Sequence, residues 1–334
     1  MTYKPPLIII TGPTAVGKTA LSVELALRIG GEIISADSMQ VYRKMDIGTA
    51  KVTEEEKKGV PHYLIDILDP DEDFDVTAFK TLAKICIDDI LSRGKIPIIA
   101  GGTGFYIQSV LYDVDFTDYD EEKRAEIKAA LEDTLEQKGI DFMYERLQEV
   151  DPAYADVIHK NNIRRVLHGL EYNILTGNRL SEHNEEQRER ISPYNFLYCV
   201  INDDRAKVYG RINKRVDDML KAGLADEVRG LLAEGYTRDL KSMLGLGYKE
   251  MADYLSGECS YAEAVEVLKR DTRHFAKKQL TWFKRERETL EVNRLEHPEM
   301  EDMLDYIIGA AALRGLLKAE RPHEEFLSCR CNIK

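Results

Sequence analysis

The sequence predicts an α/β fold, a parallel sheet with helices on both faces and a helical domain inserted into it. Three observations carry this. Apolar strand-like runs alternate with helical periodicity through the first hundred residues, the first run leads straight into a glycine-rich turn, and the texture changes from about Asp115 to about Pro193 before strand character returns.

The first element is the apolar strand Leu7–Thr11, followed by Gly12-Pro13-Thr14-Ala15-Val16-Gly17-Lys18-Thr19, which reads G-x-x-x-x-G-K-T. That spacing predicts a P-loop core and a bound polyphosphate. The glycines let the backbone fold into a nest of N–H groups around phosphate oxygens, Lys18 adds a point charge, Thr19 is the candidate Mg2+ ligand, and the following helix aims its positive end at the anion. The plain alternative is a Gly-rich turn without a ligand. Against it stand the preceding strand and the amphipathic run from Ala20 to Ile29.

Strands are further expected at Glu32–Ala36, His62–Ile67 and Ile96–Ala100, with helices at Lys18–Ile29 and Val76–Ser92 between them. Repeated βαβ units make the sheet parallel, and such sheets bind ligands beyond the carboxyl ends of their strands. Three turns converge on that edge: the P-loop, Asp37–Tyr42, and Gly101–Tyr106 with Thr103 at its centre. The Glu-, Lys- and Arg-rich stretch 115–193 reads as a helical insertion, after which come the strand Phe196–Asn202 and the amphipathic helix Arg205–Ala222. Val208, Ile212, Val216 and Leu220 form the buried stripe of that helix. Residues 1–114 and 194–315 are thus assigned to the core and 316–334 to a tail.

Composition narrows the class. The chain has 334 residues, 43% of them hydrophobic, enough for about two domains with a sizeable core. No long apolar run is present, so neither a signal peptide nor a membrane span is expected, and the predicted location is cytoplasmic. Five cysteines, odd in number and mostly scattered, suit a reducing compartment. Cys329 and Cys331 lack a partner pair at zinc spacing and read as a free tail.

A net charge of −13 argues at first sight against nucleic acid. The stretch Lys269–Arg287 runs the other way, with eight Lys or Arg against Asp271 and Glu286, and it contains Phe275, Trp282 and Phe283. Basic residues interleaved with aromatics suit a surface that meets an RNA backbone and stacks a base. A solvated helix whose aromatics reach the core is the alternative.

The usual NTPase carboxylate is missing. The strand Ile96–Ala100 ends in Gly-Gly-Thr-Gly rather than in the Asp that helps hold Mg2+. The carboxylate at the site is Asp37, one strand over, a candidate general base or alternatively a cap for the segment after it. Arg211 and Arg215 lie four apart on one helix, either a pair converging on an anion or an ordinary surface pair.

The stretches GPTAVGKT, SADSMQVYRKMDIGTAK, PHYLIDILDP, AGGTGFYIQSVLY, RRVLHGLEYNILTG, NKRVDDMLKAGLADEV and MLGLGYKEM together resemble the tRNA isopentenyl transferase family, the bacterial tRNA dimethylallyltransferases. The resemblance covers the chain in the family's order up to about Leu290. It implies transfer of the dimethylallyl group of dimethylallyl diphosphate to N6 of the adenosine 3′-adjacent to the anticodon, in tRNAs reading codons that start with U. On that resemblance Gly12, Pro13, Thr14, Ala15, Val16, Gly17, Lys18 and Thr19 hold the diphosphate with Mg2+ on Thr19. Either Arg211 or Arg215 neutralises the leaving group, with Arg215 assigned to the chemistry alongside Lys18. Asp37 orients and deprotonates the amine, while Thr103 contacts the nucleotide or the diphosphate.

The same resemblance implies tRNA contacts from Asp37, Ser38, Met39 and Gln40, from Thr103, and from Asn161, Asn162, Ile163, Arg164 and Arg165 in the insertion, which would clasp the anticodon stem-loop. It adds Gly245, Leu246, Gly247, Tyr248, Lys249 and Glu250, and on the basic helix His274, Phe275, Lys277, Lys278, Gln279 and Trp282. A monomer is expected. A small-molecule or nucleotide kinase is the rival enzyme, sharing the P-loop and a carboxylate base but needing an adenine pocket. A non-catalytic P-loop RNA-binding module is the third reading, and it leaves Asp37 without a role.

Overall fold

Leu7, Ile8, Ile9 and Ile10 are fully buried, as in a strand covered on both faces. They belong to β1 (Pro6–Thr11), which pairs in parallel with a strand on each side. The structure is a computed structural model that describes residues 3–116 and 121–317, with only the backbone of Glu121 and Arg188 described. The expected tail, with Cys329 and Cys331, lies outside the described residues apart from its first two positions. The chain divides into two units, Met1–Leu111 with Pro193–Lys334, and Tyr112–Ser192.

In the first unit β1 is followed by α1 (Lys18–Ile29), β2 (Gly31–Ala36), α2 (Glu54–Lys57), β3 (His62–Tyr63), α3 (Val76–Ser92), β4 (Ile96–Gly101) and α4 (Gly104–Leu111). The second unit contributes α5 (Glu121–Val150), α6 (Pro152–Asp156), α7 (Ile163–Thr176) and α8 (Leu180–Glu189). The first unit resumes with β5 (Asn195–Asn202), α9 (Arg205–Lys221), α10 (Leu224–Ala233), α11 (Tyr248–Leu255), α12 (Tyr261–Phe283), β6 (Thr289–Asn293) and α13 (Met300–Leu313).

The sheet order is β3-β2-β4-β1-β5-β6, all parallel. Its helix placement follows from handedness. The step from β1 to β2 crosses the sheet in one direction and the steps from β3 to β4 and β5 to β6 in the other, so right-handed crossovers put α1 on one face and α3 and α12 on the opposite one. Ile8, Ile10, Val23 and Leu25 share a core with Met303, Leu304 and Ile307, so α13 covers the α1 face. Truncating Ile8 to Ala in such a core costs about 2–5 kcal/mol. The chain leaves β1 and β4 toward opposite sides of the sheet, which opens a crevice at their carboxyl ends.

Several elements differ from expectation. The strand expected at His62–Ile67 stops at Tyr63, because Leu64 and Asp66 take positive φ (62° and 56°) and turn the chain back onto the loop after β2. There Asp66 N and Ile67 N donate to Gln40 O and Val41 O. In α9 Val208, Ile212 and Val216 are buried while Leu220 is only half-buried. Both β6 and α13 were unforeseen. Among the described residues no helix is long and apolar enough to cross a membrane.

The second unit is helical with its own core of Leu131, Met143, Leu147, Ala155, Ile158, Val166 and Leu170. The long α5 breaks at Gly139 (φ 78°). Buried Asp151 caps α6 by accepting from Tyr154 N and ties α8 in by accepting from Ser181 N and Oγ. Asn162 caps α7, and Asn161 to Arg165 are exposed at that helix's start.

Candidate active site

The P-loop leaves β1 through Gly12, whose φ of +147° and distance of 2.4 Å from a hypothetical Cβ to Ile201 O exclude any side chain. Lys18 folds back over the loop, donating from Nζ to Gly12 O (3.0 Å) and Pro13 O (2.9 Å). Burial lowers its pKa to about 8, helped by the charge of Arg215 and opposed by that of Asp37. An ammonium held in such a place is poised for an anion.

Asp37 follows β2 and Thr103 follows β4, at the carboxyl ends of two paired strands. Asp37 Oδ1 accepts from Met39 N (2.9 Å), Thr103 N donates to Ala36 O (3.1 Å), and Thr103 Oγ1 accepts from Ser38 N (3.3 Å). The Asp37–Met39 bond is a local turn in which the side chain caps the segment after β2. One carboxylate oxygen serves it, and the side chain also lines the cavity around Lys18. Thr19, Ser35, Asp37 and Gln40 line one cavity with Lys18, so the hard oxygen donors of the site face a common space.

The glycines after β4 have a packing reason. A Cβ on Gly102 would sit 2.2 Å from Gln279 Nε2, and one on Gly104 would sit 2.2 Å from Trp282 Cδ1. Helix α12 thereby lies directly on the turn. Gln279 donates to Gly102 O (3.0 Å) and accepts from Thr14 N (2.9 Å), joining the basic helix to the P-loop. Trp282 packs edge-on against Phe105 at 6.2 Å.

Arg211 and Arg215 have different surroundings. Arg215 Nη1 donates to Thr14 Oγ1 (3.3 Å) and its charge is felt by Lys18, which places it on the Lys18 side of the loop. Arg211 is turned to the outer side of the loop, donating from Nε to Ala15 O (2.8 Å) and from Nη2 to Asp203 (2.7 Å). Of the two, only Arg215 is thus placed beside Lys18. A third arginine, Arg294, donates to Val16 O (3.0 Å) from just beyond β6. Neither Asp203 nor Arg294 was a candidate from sequence, because their partners lie far along the chain with no local pattern to signal them.

The expected tRNA contacts divide by exposure. His274, Phe275, Lys277 and Lys278 form an exposed stripe on α12, whereas Gln279 is 6% exposed and faces inward. Arg273 on the same helix is occupied by Asn213 Oδ1 (2.7 Å). Of residues 245–250, Lys249 is exposed, but Tyr248 (0%) and Glu250 (3%) are buried. Glu250 accepts from Gly247 N, and burial raises its pKa. Tyr248 donates to Glu227 (2.6 Å), whose carboxylate also accepts from Asp46 N, Ile47 N and Gly48 N. The side chains of Tyr248, Glu250 and Gln279 thus shape the site from within rather than offering themselves at its surface. Gln40, half-buried, donates to Thr49 O and Ala50 O, while Met39 packs near Gly245.

A family model described as IPP transferase matches residues 40–286, and one described as isopentenyl transferase matches residues 5–69. The chain is 52% identical over 313 residues to a tRNA dimethylallyltransferase of Lachnoclostridium phytofermentans, covering 94% of this chain and 99% of that one. It is 49% identical over 298 residues to one of Acetivibrio thermocellus, covering 89% and 95%. Its structure is similar to the crystal structure of a tRNA delta(2)-isopentenylpyrophosphate transferase from Staphylococcus epidermidis, with TM-score 0.69, 47% identity and 93% and 100% coverage. It is also similar to a eukaryotic dimethylallyltransferase acting on tRNA, with TM-score 0.77, 30% identity and 95% and 82% coverage. The chain belongs to the IPP transferase family.

Proposed function

We propose that this protein transfers the dimethylallyl group from dimethylallyl diphosphate to N6 of the adenosine 3′-adjacent to the anticodon, in tRNAs that read codons starting with U. The observation that carries the reading is the juxtaposition of an anion cradle, with Lys18 and Arg215, and the carboxylate of Asp37 at one sheet edge. The relatives' names favour it over a kinase. It acts as a cytoplasmic monomer on this reading.

In the proposed reaction the P-loop N–H groups, Lys18 and Arg215 take up the charge that develops on the diphosphate as the allylic C–O bond breaks. The exocyclic amine is a weak nucleophile, its lone pair being delocalised into the purine. Asp37 orients it and accepts its proton as the N–C bond forms, so the proton ends on the carboxylate and the electron pair of the broken bond on the diphosphate. Thr103 Oγ1 holds the nucleotide beside Asp37. To reach them the adenosine leaves the anticodon stack, at a cost of a few kcal/mol.

The donor set fits Mg2+. Thr19 lies at the start of α1 with the oxygen donors of Ser35 and Asp37 lining the same cavity. That is the pattern for a hard ion bound through one or two protein oxygens, water and substrate phosphates. When bound it would supply charge neutralisation to the leaving diphosphate. The exposed stripe of α12 and the segment Asn161–Arg165 are the RNA-facing surfaces on this reading, with Arg164 and Arg165 set where a helix start favours phosphate.

The test is to incubate the protein with labelled dimethylallyl diphosphate and unmodified tRNA, then digest the RNA to nucleosides. Label in a modified adenosine supports the reading. No label, together with transfer of the γ-phosphate of ATP to a small molecule, overturns it in favour of the kinase.

A further inference from the structure

A nest presents its N–H groups to an anion only when the carbonyls of the same peptides point away, and those carbonyls then need donors on the outer side. Here two arginines from two separate elements supply them. Arg211 Nε reaches Ala15 O at 2.8 Å and Arg294 Nη1 reaches Val16 O at 3.0 Å. The peptides concerned carry the N–H groups of Val16 and Gly17, at the centre of the loop. Ala15 itself sits at φ 62°, a conformation that a non-glycine residue holds only when its surroundings enforce it.

One carboxylate organises both arginines. Asp203, its side chain 3% exposed, accepts from Arg211 Nη2 at 2.7 Å and lies 4.0 Å from Arg294 Nε. Its other oxygen accepts from Asp204 N at 2.7 Å, which fixes the carboxylate to the chain beyond β5. Burial alone would raise the Asp203 pKa, but the Arg211 hydrogen bond and the Asp204 N–H more than offset it, so the group stays ionised. Neither guanidinium is aimed at the phosphate side, where Lys18 and Arg215 stand.

We propose that Asp203 is a positioning residue for the diphosphate cradle: through Arg211 and Arg294 it holds the Ala15 and Val16 carbonyls outward and so keeps the Val16 and Gly17 N–H groups turned to the leaving group. The proposal rests on the P-loop being the diphosphate site. It makes the loop's shape, rather than its charge, depend on residues beyond β5 and β6. Conversion of Asp203 to Asn removes the charge that aligns two guanidiniums while keeping the size of the side chain.

The test is titration of Asp203→Asn, Arg294→Met and the double variant with Mg-pyrophosphate, in parallel with Lys18→Ala and with tRNA. Each single variant is expected to weaken pyrophosphate about tenfold, the scale of losing an orienting partner behind a ligand-binding group. The double variant should be little worse than either, since both act through one network. Affinity for tRNA should stay within about twofold, and the KM for dimethylallyl diphosphate should rise more than kcat falls. A folded Arg294→Met protein that binds pyrophosphate like wild type, while Lys18→Ala loses it, overturns the proposal and leaves the P-loop reading intact. Retention of pyrophosphate by Lys18→Ala overturns the P-loop reading itself. Arg294 lies on a partly exposed loop, so its variant decides the matter even if Asp203→Asn fails to fold.

Discussion

If the half-buried ammonium of Lys18 is what meets the diphosphate, affinity must fall as that ammonium loses its proton. With a pKa of about 8, Lys18 is roughly nine-tenths protonated at pH 7 and roughly one-tenth at pH 9. A bound diphosphate favours the charged form, so the proton is retained in the complex. Affinity for Mg-pyrophosphate should therefore drop about tenfold between pH 7 and pH 9, steepening to one logarithmic unit per pH unit above 8. Calorimetric titration across that range measures it, and Lys18→Met, titrated alongside, reports the ligand's own protonation. The sign for folding is opposite. Between about pH 8 and 10.5 the unfolded chain binds a proton that the folded one does not, so the unliganded protein gains stability as pH rises through that window. Parallel pH profiles for wild type and Lys18→Met would refute the placement of this lysine in the anion site.

Three further outcomes follow from named contacts. Neutralising Lys277 and Lys278, exposed on α12, together with Arg285, exposed in the turn just after it, should weaken tRNA binding and flatten the plot of log affinity against log salt by about two to three units, with diphosphate binding unchanged. Equal slopes would mean that the face is merely solvated. Burial pushes Glu286 up to about 7, so the folded protein holds a proton that the unfolded chain has released above about pH 4.5, and stability should fall as pH rises from there to 7. Glu286→Gln should abolish that slope, worth at most about 3 kcal/mol, in denaturant unfolding at a series of pH values. Gly104→Ala drives a Cβ into the rigid Trp282 ring and should destabilise by about 1–3 kcal/mol, read as a lower Tm.

Much of this was legible in the sequence where the signal is local. The bounds of α1 and α3 match their periodicity, and the glycine-lysine turn after an apolar strand forms between β1 and α1 as expected. The strand β6 was not, because five residues of alternating pattern inside a charged stretch become a strand only through pairing with β5. For α13 the signal was there: Met303, Leu304, Ile307, Ala310 and Ala311 recur at helical spacing. In the site the limit is sharper. Arg211 and Arg215 share a helix face, and only their partners, Ala15 O and Asp203 for the first and Thr14 Oγ1 for the second, tell them apart. Gln279 and Tyr248 are tRNA contacts on the resemblance, yet the side chain of each is turned inward by a partner outside its own helix, Gly102 and Glu227.

The central claim is that Asp37 does the proton chemistry beside a cradle that holds the diphosphate. Single-turnover transfer by Asp37→Asn, with tRNA and dimethylallyl diphosphate both saturating, tests it most directly. The substitution keeps the turn to Met39 N but removes the base. Transfer is expected to slow by roughly a hundredfold or more, the usual size of a general-base contribution, with both substrates bound within a few-fold of wild type. A variant that transfers at the wild-type rate, or one that no longer binds tRNA at all, would contradict the account and return Asp37 to the role of a structural cap.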